Sequence, residues 1–227
     1  MEPEPTDAEV LQEVQRAWAD LLSAARQFGY AVDELVRPPA SARQVAAAEE
    51  AIGRRLPRDL AILYRLSDGQ EDWINLERDP GGAASRPRGR WVGSLFGAGW
   101  TFNSLARLRT EYQGWSDLRA QYTPAELADD FDSVIEIRGD DPVKPLYTCA
   151  DWIPFATDGG GNSLAADVAP APGGHVGQVI VIGPDEDRRR VLAASVRALL
   201  RLGASQLRIP DPVLDGEDGV ALYPLER

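Results

Sequence analysis

Across 227 residues the chain has one cysteine, one histidine, one methionine and one lysine. Each scarcity excludes something. With Cys149 alone, no intrachain disulfide forms and no cysteine-rich zinc site can be built. His175 is the lone imidazole and lies in the turn-forming run Pro172-Gly173-Gly174-His175. No Gly-x-Ser-x-Gly elbow accompanies it, so a Ser–His–acid triad is not expected. No apolar stretch approaches the ~20 residues that a membrane-spanning helix needs. The opening Met1-Glu2-Pro3-Glu4 is acidic where a secretory leader is basic and then apolar. The chain therefore reads as soluble, cytoplasmic and without a leader.

Basic charge is also scarce. The formal net charge is −12, which repels phosphate backbones and disfavours nucleic acid as a partner; a basic protein fits better. The acid is unevenly spread. Residues 1–36 and residues 120–151 each carry eight acids against two bases, whereas residues 37–119 carry thirteen arginines against ten acids. That asymmetry predicts an acidic face beside a mixed one, although solubility alone would also account for it. Of the 24 basic residues 23 are arginine, and alanine, proline and glycine are abundant. Codon logic reads this as a GC-rich genome and predicts a bacterial source.

Local signals place the elements. Thr6-Asp7-Ala8-Glu9 is a capping box, and apolar residues from Leu11 to Phe28 follow at helical spacing until Gly29, predicting a helix over 7–28. Arg37-Pro38-Pro39 is extended. Ser41 to Gln44 is a second capping box, and Gly53 suits a C-terminal cap, giving a helix over 41–53. Pro57 opens a third helix that Asp68-Gly69 ends. Residues 77–90 read as a loop between short strands near Trp73-Leu76 and Trp91-Phe96. Residues 101–121 read as helix, Thr123 and Glu126 cap another turn, and Val134-Ile137 reads as a short strand. Strands are predicted over 152–157, 162–168 and 177–183, with Pro154 marking an edge or bulge, and a last helix over 186–203. Helices first and strands later give an α+β fold.

The candidate chemistry is thin. Asp158-Gly159-Gly160-Gly161-Asn162 lacks the lysine of a phosphate loop and the terminal glutamate of a calcium loop, so a hairpin turn is the simpler reading. The functional alternative puts Asp158 and Asn162 at a groove rim against a partner. Asp129, Asp130 and Asp132 read either as a solvated face or as a phosphate mimic for a basic surface. Tryptophans in the 91–115 region, Trp100 above all, are the expected exposed anchors, because interface hot spots favour this residue.

One ordered set of motifs is specific. Pro38-Pro39-Ala40-Ser41, then Leu56-Pro57-x-Asp59-Leu60, Tyr64 and Ser67-Asp68-Gly69 resemble the N-terminal signature of the SUKH superfamily. Trp152-Ile153-Pro154-Phe155-Ala156-x-Asp158-Gly159-Gly160-Gly161-Asn162, Asp167, Pro170 and Gly177-Gln178-Val179 resemble its central strands. The resemblance implies a single SUKH-like domain over 38–203 with a mainly antiparallel or mixed sheet flanked by helices. Residues 1–37 would be a helix and linker packed on it, and residues 204–227 a tail. It also implies a non-catalytic protein-binding module with no cofactor or metal. The main expectation is a bacterial immunity protein that neutralises a polymorphic toxin, for example a nuclease, by direct binding to a basic toxin domain. The alternative is an SMI/KNR-type regulator or adaptor linked to cell-wall assembly and growth signalling; an enzyme is the third class. The candidate partner-binding residues are Asp68, Trp100, Asp129, Asp130, Asp132, Asp158 and Asn162.

Overall fold

The computed structural model describes residues 5–71, 73–75, 89–91, 94–96 and 99–208, with the backbone alone at 73–75 and 89–91. Helix α1 (Asp7–Phe28) begins at a capping box: the Glu9 amide donates to Thr6 Oγ1 at 3.3 Å, and the Thr6 amide donates back to Glu9 Oε2 at 2.7 Å. Gly29, at φ 103°, ends it in the left-handed conformation. Val10, Val14, Trp18 and Leu21 bury one stripe of α1 against the last helix, α7 (Val196–Gln206), which runs alongside. A Cβ at Gly203 would approach Leu21 Cδ1 to 3.2 Å, so the missing side chain permits this close approach. Arg197 and Arg201 meet Glu13, and Arg208 meets Asp20, along the same seam. One turn, α2 (Val32–Leu35), leads to α3 (Ala42–Ile52), which carries the second capping box, and to α4 (Arg58–Leu66), for which Pro57 is the N-cap.

The strands are β1 (Trp73–Asn75), β2 (Gly89–Trp91), β3 (Thr101–Phe102), β4 (Glu136–Ile137), β5 (Trp152–Thr157), β6 (Ser163–Asp167), β7 (Gln178–Ile182), β8 (Arg188–Arg189) and β9 (Val191–Ala193). Five of them form an antiparallel sheet in the order β3-β5-β6-β7-β9. β1 pairs with β2, and β4 pairs in parallel with β8. β5, β6 and β7 are buried at every position, so both faces of the sheet are covered. This explains why they read as continuous apolar runs and not as alternating ones. Phe155, Leu164, Val179 and Val181 join one large core with Phe102 and the α1, α3, α4 and α7 stripes. Trp152, Ala165, Ile180 and Ile182 form a smaller core on the other face with Val143. Pro154 sits at a bulge in β5, an interior strand, where the register shifts before Ala156.

The second face is covered by α5 (Leu105–Gln121), through Trp115, and by the irregular chain after it. That chain runs through α6 (Pro124–Glu126), a π turn at Leu127–Phe131 and a 3-10 turn at Asp132–Val134. Arg189 fastens it. This arginine is fully buried. Its Nε donates to Leu146 O at 3.0 Å and its Nη2 to Tyr147 O at 2.9 Å, and Nη1 donates to Glu186 O. The guanidinium lies 5.9 Å from the Tyr147 ring centroid and 5.8 Å from that of Trp152. Burial pulls its pKa down to about 10, opposed chiefly by the charge of Glu186, so the group stays cationic at neutral pH.

Several expectations change. The last helix begins at 196, not 186: residues 188–189 and 191–193 are strands, paired with β4 and β7. Val191 and Leu192 suit either periodicity, and only the non-local partners decide. Thr101–Phe102 is likewise a strand, and α5 starts after the N-cap Ser104. Leu95 and Phe96 lie in a turn, not a strand, and are fully buried. Residues 77–88 of the expected loop, and 209–227 of the expected tail, lie outside the described residues, while 89–90 belong to β2.

Phe155 has no exposed surface and meets Phe96 edge-on at 6.0 Å between centroids. Phe155→Ala is expected to cost ~3–5 kcal/mol of stability in denaturant melts. A loss under about 1 kcal/mol would contradict the packing described.

Candidate partner-binding surface

The seven candidate residues divide into structural and exposed groups. Asp68 is structural. Its Oδ1 accepts from the Leu105 amide at 2.8 Å and so caps α5 from 37 residues away. Next to it Gly69, at φ 84°, lies so close to the 102–104 backbone that a Cβ would stand 2.5 Å from Ser104 N. The Ser-Asp-Gly motif is thus a tight splice between the end of α4 and the start of α5. Ser67 completes it: its hydroxyl lies 2.6 Å from Gly69 O and 3.0 Å from Arg37 O and shares its one proton between them.

Trp100 is 6 % exposed and belongs to the main core. The expectation of an exposed anchor fails there because the neighbouring turn folds inward with Leu95 and Phe96. Trp115 is half-buried and stacks edge-on with Tyr147, 5.8 Å between centroids. Trp18 and Trp152 are also core.

Asn162 is buried and its amide is committed. Its Nδ2 donates to Asp158 Oδ2 at 2.7 Å and to Asp185 Oδ2 at 3.2 Å, while its Oδ1 accepts from the Asp185 amide at 3.1 Å. Asp158 Oδ1 also accepts from the Gly160 and Asn162 amides. The Asp-Gly-Gly-Gly-Asn motif is therefore a hairpin turn tied to the 183–187 loop. A Cβ at Gly183 would fall 2.0 Å from Asn162 Oδ1, which accounts for glycine there.

Asp132 is half-buried, and its Oδ1 accepts from the Tyr147 amide at 2.7 Å. Asp129 and Asp130, on the π turn before it, are exposed, and neither carboxylate has a partner among the described residues. The fold gathers acids that are distant in the sequence. Asp132, Glu186 and Asp187 all act electrostatically on Arg189, and Asp158 and Asp185 act on Glu186. Burial pushes the Glu186 carboxyl up, against the pull of Arg190 and Arg189. Glu136 is exposed on β4, directly across from Arg188. The result is an acidic rim formed by the 129–136 and 185–187 segments around a buried cation. Loop residues 185–187 carried no signal for this role, because only tertiary contact places them there.

The catalytic candidates do not assemble. His175 is exposed in its turn, and its amide donates to Gln178 Oε1. Burial raises the Cys149 thiol, which keeps it protonated and unreactive. Among the described residues no group of three or more His, Cys, Asp or Glu could hold a metal ion, and no helix is long and apolar enough to cross a membrane.

Comparison with known proteins bears on the functional expectation. The profile of the SMI1 / KNR4 family (SUKH-1) matches residues 39–202. A cell wall biosynthesis/cell cycle regulator, smi1 of Schizosaccharomyces pombe, is 30% identical over 183 residues, covering 79% of this chain and 33% of that protein. A glucan synthesis regulatory protein of Neurospora crassa is 43% identical over 65 residues, 29% of this chain and 12% of the relative. Cell wall assembly regulator SMI1 of Saccharomyces cerevisiae is 43% identical over 51 residues, 22% of this chain and 10% of the relative. The chain thus spans about a third or less of these relatives. They overturn the expectation of a bacterial toxin-immunity protein: the named proteins are fungal and are regulators. The error has a clear origin. The motifs between 38 and 203 build the scaffold, as Asp68, Gly69 and Asn162 show, and a scaffold signature does not choose a partner. Arginine-rich composition reports codon usage alone. Matched over residues 39–202 and related to these regulators, the chain belongs to the SMI1/KNR4 family (SUKH-1).

Proposed function

We propose that this chain is a non-catalytic, protein-binding regulatory module of the SMI1/KNR4 type, linked to cell-wall assembly. Family membership carries the reading, together with relatives named as regulators of cell-wall assembly and glucan synthesis. The acidic rim is the proposed contact, and its partner is a basic surface of another protein. Asp129, Asp130 and Glu136 are exposed there, on the π turn and on β4 of the segment that covers the second face of the sheet.

Two measurements test this. Deleting the gene in its own host should sensitise growth to agents that damage the cell wall; growth unchanged under such stress would contradict the regulatory link. For the contact, the partner recovered by cross-linking in the host should associate more slowly as salt rises. The Debye length falls from about 10 Å at 0.1 M to about 3 Å at 1 M. The double reversal Asp129→Lys/Asp130→Lys should lower the on-rate more than it raises the off-rate. Asp132 is left intact because its carboxylate holds the Tyr147 amide. An on-rate indifferent to salt and to the reversals would remove the rim from the binding surface.

A further inference from the structure

The helix layer carries a second concave surface, on the side of the sheet away from the acidic rim. It is a groove of about 650 Å³ between α1, α3 and α4. Its volume falls in the range of ligand clefts. Leu11, Val45, Ile62 and Leu66 supply apolar floor, and Leu11 is 41% exposed, one of the few large apolar side chains in the described chain left so open. In a chain of net charge −12 the charged lining is reversed in sign: Arg55, Arg58 and Arg65 line the groove with Glu49, and of the three arginines Arg58 is paired with Asp7 beside it. Glu49 is already spent. Its Oε1 accepts from the Leu56 amide at 2.9 Å and its Oε2 from Arg55 at 2.8 Å. Arg65 is exposed and makes no ion pair among the described residues, and Arg55 keeps 89% of its side-chain surface in solvent despite its contact.

We infer that this groove is a second docking surface and that it receives an acidic, apolar-bearing segment of a protein partner. The apolar floor takes side chains at helical spacing, the usual way an amphipathic helix enters a groove. The arginines at the rim pair with its carboxylates, where a planar guanidinium makes bidentate contacts. A polyanion such as nucleic acid is a poor occupant, because its charge extends past the groove onto a surface of net −12, and it has no apolar side chains for the floor. A basic segment is excluded by the arginines. The inference goes beyond the proposed function: the acidic rim and this groove prefer partners of opposite charge, so one chain joins two different proteins.

The test uses the full chain, labelled with 15N, and two synthetic helical peptides of about 15 residues with leucines at i, i+3, i+4 and i+7. One peptide carries glutamate at its flanking positions, the other lysine. The expected result is amide shifts confined to α1, α3 and α4 on adding the glutamate peptide, and none from the lysine peptide. Arg55→Glu/Arg65→Glu should weaken the glutamate peptide about tenfold, as expected for two exposed ion pairs converted to repulsions. Leu11→Ser should weaken it separately without altering the charge preference. Equal binding of both peptides, no binding of either, or shifts elsewhere would overturn the inference. So would binding that appears only after Asp211, Asp215, Glu217 and Asp218 are neutralised, since the chain's own terminus would then be the occupant. None of these readouts uses the acidic rim, so failure here leaves the proposed function to stand or fall by its own tests.

Discussion

The burial of Arg189 is the interaction on which the second half of the structure depends. The central sheet is buried on both faces; α1, α3, α4 and α7 cover one, and α5 reaches the other through Trp115. Most of the cover on the other face is irregular chain, whose backbone groups cannot all pair within regular elements and must find donors elsewhere. Arg189 supplies donors to the carbonyls of Leu146, Tyr147 and Glu186 at once, and it lies over the rings of Tyr147 and Trp152. An arginine suits this place better than a lysine. Its rigid fork reaches several acceptors, and its weak hydration lowers the cost of burial.

A buried cation also explains why acids gather at this end of the molecule. Asp132, Glu186 and Asp187 favour its charge, and Asp132 doubles as an acceptor for the Tyr147 amide. Part of the acidic segment is therefore internal architecture, and Asp141, accepting from the Val191 amide at 2.8 Å, belongs to that part. Asp129, Asp130 and Glu136, among the acids of that segment that stay exposed, lie on the chain that Arg189 fastens. Structure and proposed function meet here: residues that neutralise Arg189 and residues that face solvent lie together on the 129–136 and 185–187 segments. On the opposite side of the sheet the helix layer presents arginines and an apolar floor, so the two faces differ in the chemistry they offer.

Legibility in the sequence followed the range of the interactions. The capping boxes at Thr6, Ser41 and Thr123 are local and could be read directly, as could the buried runs at 152–157 and 178–182. The strands at 188–193 could not, because Val191 and Leu192 satisfy a helical period equally well and their pairing partners lie elsewhere in the chain. The polar candidates misled for the same reason. Asp68, Asp132 and Asn162 resemble surface chemistry until their partners, the Leu105 and Tyr147 amides and Asp185, are known. Arg189 carries no signal of its own within Asp187-Arg188-Arg189-Arg190, where an exposed basic run is the natural reading. The groove on the helix layer is assembled from three helices and has no counterpart in any contiguous motif.

Arg189 fastens the covering segment to the sheet, and hydrogen exchange in native conditions registers the loss of that fastening. In Arg189→Met, a side chain of comparable length without donors, the carbonyls of Leu146 and Tyr147 lose their partner. The amides of Ile135, Val143, Leu146 and Tyr147 are expected to lose protection by about tenfold or more, while those of β6 and α1 fall only by the global loss of stability. Equal loss across all of them, or none, would contradict it: the segment would then be held by its apolar contacts alone.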